Sequence, residues 1–184
     1  MDNLKKKLIY CISFVLISGV LVTALVQNIS ADEVPLSCEV VSGTCDGVTV
    51  LKLQSTSGSH AEASDQSNYS YKICCSGLNI GNNCSGNHAK VLNLSAGTNA
   101  HVEENGQSNY TNFACLSYSR AAKTIVCNYA NDCSTLGANY VCLASISGST
   151  NAHVGDCNAY AKKVCCQVTN SASAPGLPIW IETP

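Results

Sequence analysis

The chain has 184 residues, ten Lys+Arg against twelve Asp+Glu, and only 12% charged residues. No broad basic surface exists to neutralise a phosphate backbone, which excludes nucleic acid as an expected partner. Thirteen cysteines, together with Ser, Asn and Gly where charge would usually stand, describe a polar, weakly charged surface of the extracellular kind.

The N-terminus gives the same compartment. Lys5, Lys6 and Lys7 precede an apolar run from Leu8 to Val26, and Ile29-Ser30-Ala31 places a small residue before Asp32. This is a secretion signal with cleavage expected after Ala31. The run is also long enough to cross a hydrocarbon core of about 30 Å, so residues 1–31 read as a signal peptide or an N-terminal membrane anchor. A membrane is a partner only if that segment is retained. Cys11 lies inside the run and behaves as a small hydrophobe, which leaves twelve cysteines in the exported part.

Self-comparison of residues 32–169 finds three copies of one pattern. In the first, Gly58-Ser59-His60-Ala61 leads to Gln66-Ser67-Asn68-Tyr69 and Cys74-Cys75. In the second, Gly97-Thr98-Asn99-Ala100-His101-Val102 leads to Gln107-Ser108-Asn109-Tyr110 and Cys115. In the third, Gly148-Ser149-Thr150-Asn151-Ala152-His153-Val154 leads to Asn158-Ala159-Tyr160 and Cys165-Cys166. The expected units are 32–83, 84–126 and 127–169, followed by a Pro-containing tail or linker over 170–184.

Val48 to Leu53, Val91 to Leu94 and Tyr140 to Ile146 are short apolar runs bounded by Gly, Ser and Asn, and they predict strands. Period-two alternation puts Tyr69, Tyr71, Ile73 and Cys75 on one strand face, with Tyr110, Asn112, Ala114 and Leu116, and Tyr160, Lys162, Val164 and Cys166, as their equivalents. The expected fold is all-β, with disulfide-stapled tandem β units packed as a sandwich-like array. A β-trefoil is the alternative, because three copies can close around a pseudo-threefold axis. The unequal spacing of His60, His101 and His153 weighs against closure.

The string from Thr150 through Asn151-Ala152-His153-Val154-Gly155-Asp156 to Cys157, continuing to Val164-Cys165-Cys166, resembles a cysteine-rich repeat unit of uncharacterised secreted or surface proteins, mainly archaeal. The resemblance covers roughly residues 38–168 and implies no activity or catalytic residue. The first copy departs from it by lacking the Thr-Asn-Ala lead.

The copies, treated as an alignment within one chain, pair the cysteines. Every copy has an opening cysteine and one five residues after the tyrosine, giving Cys45 with Cys74, Cys84 with Cys115, and Cys133 with Cys165. The first and third copies add an upstream cysteine and a second vicinal one, giving Cys38 with Cys75 and Cys127 with Cys166. Leu116 fills the vacated vicinal position in the second copy. Cys142 and Cys157 occur only in the third copy and pair with each other.

Three residue sets invite chemistry. His60, His101 and His153 occupy one repeat position, and imidazole is a good metal ligand. No second histidine or carboxylate at ligand spacing recurs in all three copies, so the rings are assigned to their own loops, with no metal and no cofactor expected. No nucleophile elbow or catalytic triad can be assembled, fully paired cysteines leave no thiolate, and Glu103-Glu104 reads as a solvated loop pair; the chain is read as no enzyme. Asn68, Asn83, Asn93 and Asn109 stand in N-x-S/T sequons and are candidate glycosylation sites. The expected function is a noncatalytic extracellular structural or adhesive component, self-assembling or meeting other surface proteins and glycans. The alternative is a carbohydrate-binding module built on Tyr69, Tyr110 and Tyr160.

Overall fold

The computed structural model describes residues 35–120 and 122–170. The export segment expected at 1–31 and the tail from residue 171 lie outside the described residues. Within them the protein is all-β, with twelve strands and one 3₁₀ turn at Cys133–Leu136.

The first unit comprises β1 (Ser37–Val41), β2 (Val48–Leu53), β3 (Ala61–Ala63) and β4 (Tyr71–Ser76). The second comprises β5 (Ile80–Gly81), β6 (His88–Leu94), β7 (Val102–Glu103) and β8 (Asn112–Tyr118). The third comprises β9 (Lys123–Ala130), β10 (Val141–Ile146), β11 (Val154–Gly155) and β12 (Lys162–Asn170). Each unit is one four-stranded antiparallel sheet with the same order: β1-β4-β2-β3, β5-β8-β6-β7 and β9-β12-β10-β11. The unit boundaries therefore fall a few residues earlier than 83/84 and 126/127. The opening strands β5 and β9 start ahead of the first cysteine of their copies, and a two-residue strand such as β5 carries no periodicity to read. Asn170, assigned above to the tail, ends β12.

A β-bulge recurs at one position of the second strand in every unit, between Thr49 and Leu51, Lys90 and Leu92, and Cys142 and Ala144. The extra residue lets two successive side chains face inward, which strict alternation forbids. Val50-Leu51, Val91-Leu92 and Leu143-Ala144 are accordingly all buried. They join Leu53, Ile73, Leu94, Leu116, Ile146 and Val164 in one hydrophobic cluster drawn from all three units. A sheet of this size buries too little alone, and sharing one core among three is what makes each viable.

The units close cyclically. Ala61 and Ala100 exchange main-chain hydrogen bonds at 2.9 and 2.8 Å, Val102 and Ala152 at 2.9 and 2.8 Å, and Ser59 and Val154 at 3.0 and 2.9 Å. A third bond repeats at each seam: Ala63 N–H donates to Gly97 O, Glu104 N–H to Ser149 O, and Asp156 N–H to Thr56 O. The inner strands β3, β7 and β11 thus each pair with the segment leading to the histidine of another unit, first to second, second to third, and third to first. Unequal histidine spacing does not prevent this closure. The extra length of the third copy lies in the eight-residue edge strand β9 and the 3₁₀ turn, at the far side of the sheet from the seam. Three separate sheets, not one trefoil barrel, form the ring.

Six disulfides staple the sheets: Cys38–Cys75, Cys45–Cys74, Cys84–Cys115, Cys127–Cys166, Cys133–Cys165 and Cys142–Cys157. These are the pairs that the alignment of the copies assigns. Cys38 and Cys75 face each other directly across β1 and β4, as Cys127 and Cys166 do across β9 and β12, each with Cα atoms 4.1 Å apart. The vicinal neighbours Cys74 and Cys165 point to the opposite sheet face and reach Cys45 in a loop and Cys133 at the start of the 3₁₀ turn, with Cα atoms 5.6 and 5.4 Å apart.

Candidate functional site

Cyclic closure brings together residues that are far apart in the chain. His60, His101 and His153 each follow the residue that makes the seam bridge, so all three stand beside the pseudo-threefold axis. Their ring centroids are 4.6, 5.0 and 5.2 Å apart, and one nitrogen of each ring lies within 4.8 Å of the other two. All three side chains are half-buried. His88, outside the repeat position, instead has its Nδ1 2.9 Å from Gly86 O and is not in this cluster.

The main chain holds each histidine through its own loop. His60, His101 and His153 carbonyls accept from Gln54, Ser95 and Ser147 N–H groups, and the N–H groups of His101 and His153 donate to the Ser95 and Ser147 hydroxyls. The imidazoles do something else. His60 Nδ1 lies 2.5 Å from Asn99 Oδ1, and His101 Nδ1 lies 3.2 Å from Asn151 O. Both partners belong to the next unit in the ring, so the assignment of the rings to their own loops is corrected for His60 and His101. Amide and main-chain carbonyl oxygens only accept, which places the proton on Nδ1 and leaves the Nε2 lone pair of His60 and His101 available.

Asn99 and Asn151 adopt left-handed φ values of 49° and 47°, and Gly58 takes the equivalent place at 62°. The tyrosines complete the pattern. Tyr69 Oη donates to Asn99 Oδ1 and Tyr110 Oη to Asn151 Oδ1, each at 3.3 Å. A Cβ placed on Gly58 would lie 3.7 Å from Tyr160 Oη. The Asn of the Thr-Asn-Ala lead is therefore an inter-unit contact, and the first copy dispenses with it by using glycine. All three tyrosines lie just ahead of their strands and are half-buried against a neighbouring unit.

Two residues after His60 and His101 stand two buried carboxylates. Glu62 and Glu103 are fully inaccessible. Glu62 accepts from the Asn68 side chain at 2.9 Å and from Tyr69 N–H at 2.8 Å; Glu103 accepts from the Asn109 side chain at 2.8 Å and Tyr110 N–H at 2.9 Å. Burial alone would raise the Glu103 pKa, but the hydrogen bonds from Asn109, Tyr110 and Asn93 outweigh it and hold the carboxyl below its ordinary value. Glu103 is thus a loop anchor and not a solvated loop residue. Glu104 also has a partner, forming a 2.6 Å ion pair with Lys162 of the third unit.

The sequons separate in the fold. Asn93 is buried, and its Nδ2 donates to Glu103, Glu104 O and Gln107 O, so it is no glycan acceptor in the folded protein. Asn68, Asn83 and Asn109 are exposed, although the Nδ2 groups of Asn68 and Asn109 bind the buried carboxylates. The convergence of the histidines was the feature sequence reasoning missed. Its signal was present in their shared repeat position, but residue spacing within one copy carries no information on how the copies pack against one another.

No protein-family model, curated protein or solved structure matches this chain.

Proposed function

We propose that the exported part is a noncatalytic structural or adhesive module of the cell surface. The observation that carries this reading is the construction of the ring: three sheets of one order, joined by three repeated seams, share a single core and six disulfides. Such a bridge density is typical of extracellular proteins. Each native bridge contributes about 2–4 kcal/mol, mainly by restricting the unfolded chain, and the ring ties both ends of the repeat array together. These are properties of a load-carrying or spacing element that outlasts exposure to proteases. The surface also suits that role: Phe113 is an exposed large apolar side chain, and Lys90 Nζ sits 3.6 Å from its ring centroid.

The saccharide-binding reading has weaker support, because Tyr69 and Tyr110 use their hydroxyls at unit seams. The test is localisation of the tagged protein by protease shaving of intact cells, combined with a glycan array and sedimentation of the purified protein. Surface exposure with self-association or binding to another surface protein supports the proposal. Reproducible saccharide binding lost in a Tyr110→Phe variant would replace it with the carbohydrate-binding alternative, and retention inside the cell would reject both.

A further inference from the structure

We propose that His60, His101 and His153 form a three-imidazole site for one divalent first-row transition ion of the zinc, copper or nickel class. This goes beyond the structural reading of the ring and stands independently of what the module does at the surface.

The geometry supplies three convergent ligands from three units. Metal–imidazole bonds are about 2.0–2.1 Å, and tetrahedral coordination would set the nitrogens roughly 3.3–3.4 Å apart. The nitrogens already lie within 4.8 Å of one another, so each must move on the order of 1 Å toward the axis. All three histidines are half-buried, so the cluster is within reach of solvent and of an ion carried by it.

For two of the three rings the surroundings also meet the usual demands on a metal-binding histidine. Such a ring typically gives its second N–H to a carbonyl or carboxylate, which fixes its tautomer and orientation. Asn99 Oδ1 does this for His60 and Asn151 O does it for His101. Asn99 is in turn held by Tyr69 Oη, and the backbone under all three histidines is clamped by the loop bonds from Gln54, Ser95 and Ser147. Three neutral nitrogens with no thiolate or carboxylate suit zinc, copper or nickel and disfavour magnesium and calcium. Because each ligand comes from a different unit, a bound ion would cross-link all three seams at one point. Metal binding would then act as a reversible fourth fastener on a ring whose disulfides lie within the units.

The test uses the disulfide-intact protein without a histidine tag. Zinc and copper(II) are titrated by calorimetry, and the copper-loaded protein is examined for nitrogen hyperfine coupling by electron paramagnetic resonance. One ion per chain, coupling to three nitrogens, and a rise in melting temperature on zinc addition are expected. His101→Ala should weaken binding by more than about a hundredfold, above the range typical of outer-shell changes, whereas His88→Ala should leave it unchanged. Asn99→Gly, which copies Gly58 and suits the left-handed backbone, should weaken binding by about ten- to a hundredfold by releasing His60. The proposal is overturned if the folded wild type shows no saturable binding, if copper couples to one nitrogen only, or if His101→Ala binds as tightly as the wild type. The wild-type titration and spectrum decide the matter even if His101→Ala fails to fold.

Discussion

The second unit carries one disulfide and a buried glutamate, whereas the third carries three disulfides and has Gly155 where the glutamate would stand. In both, the loop before the last strand must fix the main chain at its tyrosine. Glu103 accepts from Tyr110 N–H in the second unit; in the third, Ser145 Oγ accepts from Tyr160 N–H at 2.9 Å while Cys157 is bridged to Cys142. A Cβ on Gly155 would come within 2.5 Å of Ala159 Cβ and 2.7 Å of Thr56 O, so a glutamate has no room there. The edge strands differ in parallel. β5 has two residues and no cross-strand bridge, while β1 and β9 have five and eight and are bridged to their neighbours. Continuing the β5–β8 register puts Asn82 opposite Leu116, at the place of Cys38–Cys75, and Asn82 turns its amide to Thr49 O of the first unit at 2.8 Å. What is retained in every unit is the satisfied backbone and the seam; the chemistry that secures them is interchangeable.

The strongest way to break the comparison is Glu103→Ala. It strands the Tyr110 N–H and removes the charged acceptor of the Asn109 amide and one of the three acceptors of Asn93 Nδ2, and a loss of about 3–5 kcal/mol is expected in urea denaturation. A change below about 1 kcal/mol would mean that the carboxylate is not the anchor of that loop. In the third unit, the double change Cys142→Ser with Cys157→Ser opens a loop with a sequence separation of 15 and should cost about 3 kcal/mol. Hydrogen exchange should then show residues 156–160 opening first, and unchanged protection there would count against the bridge as the counterpart of Glu103.

The second unit can also be made to resemble its neighbours. Asn82→Cys with Leu116→Cys should form the missing cross-strand bridge and raise stability by about 1–2 kcal/mol, less than a native bridge because the Asn82 hydrogen bond and the Leu116 packing are given up. Failure to oxidise in the folded state would show that the register does not continue past Gly81.

The smallest effect is a pH dependence carried by Glu103. Its folded-state pKa lies below the ordinary carboxyl value, so its stabilisation is fully present above the unfolded-state value and is lost as pH falls through the folded-state one. The stability gap between wild type and Glu103→Gln should therefore narrow on acidification from neutral pH. A gap that stays constant to the acid limit of folding would contradict the sign of this shift.

Much of the fold was legible before any tertiary information. The apolar runs at Val48–Leu53 and Tyr140–Ile146 coincide closely with β2 and β10, because β-branched residues bounded by Gly, Ser and Asn leave little choice of local structure. β5, β7 and β11 escaped, being two residues each, and exist only because a neighbouring strand supplies their hydrogen bonds. The bulges at Val50, Val91 and Leu143 were hidden because period-two reading assumes an uninterrupted pleat. Asn93 looked like any other sequon, since burial is not a property of three residues in a row.

The sequence by itself determined the disulfide pairing, because copies within one chain are an internal alignment in which the presence and absence of cysteines vary together. It also determined the all-β class and the repeat-equivalent residues. Only the tertiary structure decided what those equivalences mean. Whether equivalent positions lie far apart, as in an open array, or meet, as on an axis, depends on how the units pack, and packing is set by a shared core and by seam hydrogen bonds between segments distant in the chain. Closure turned three isolated histidines into one cluster, and it turned Asn99, Asn151 and Gly58 from loop punctuation into the contacts through which each unit meets the next.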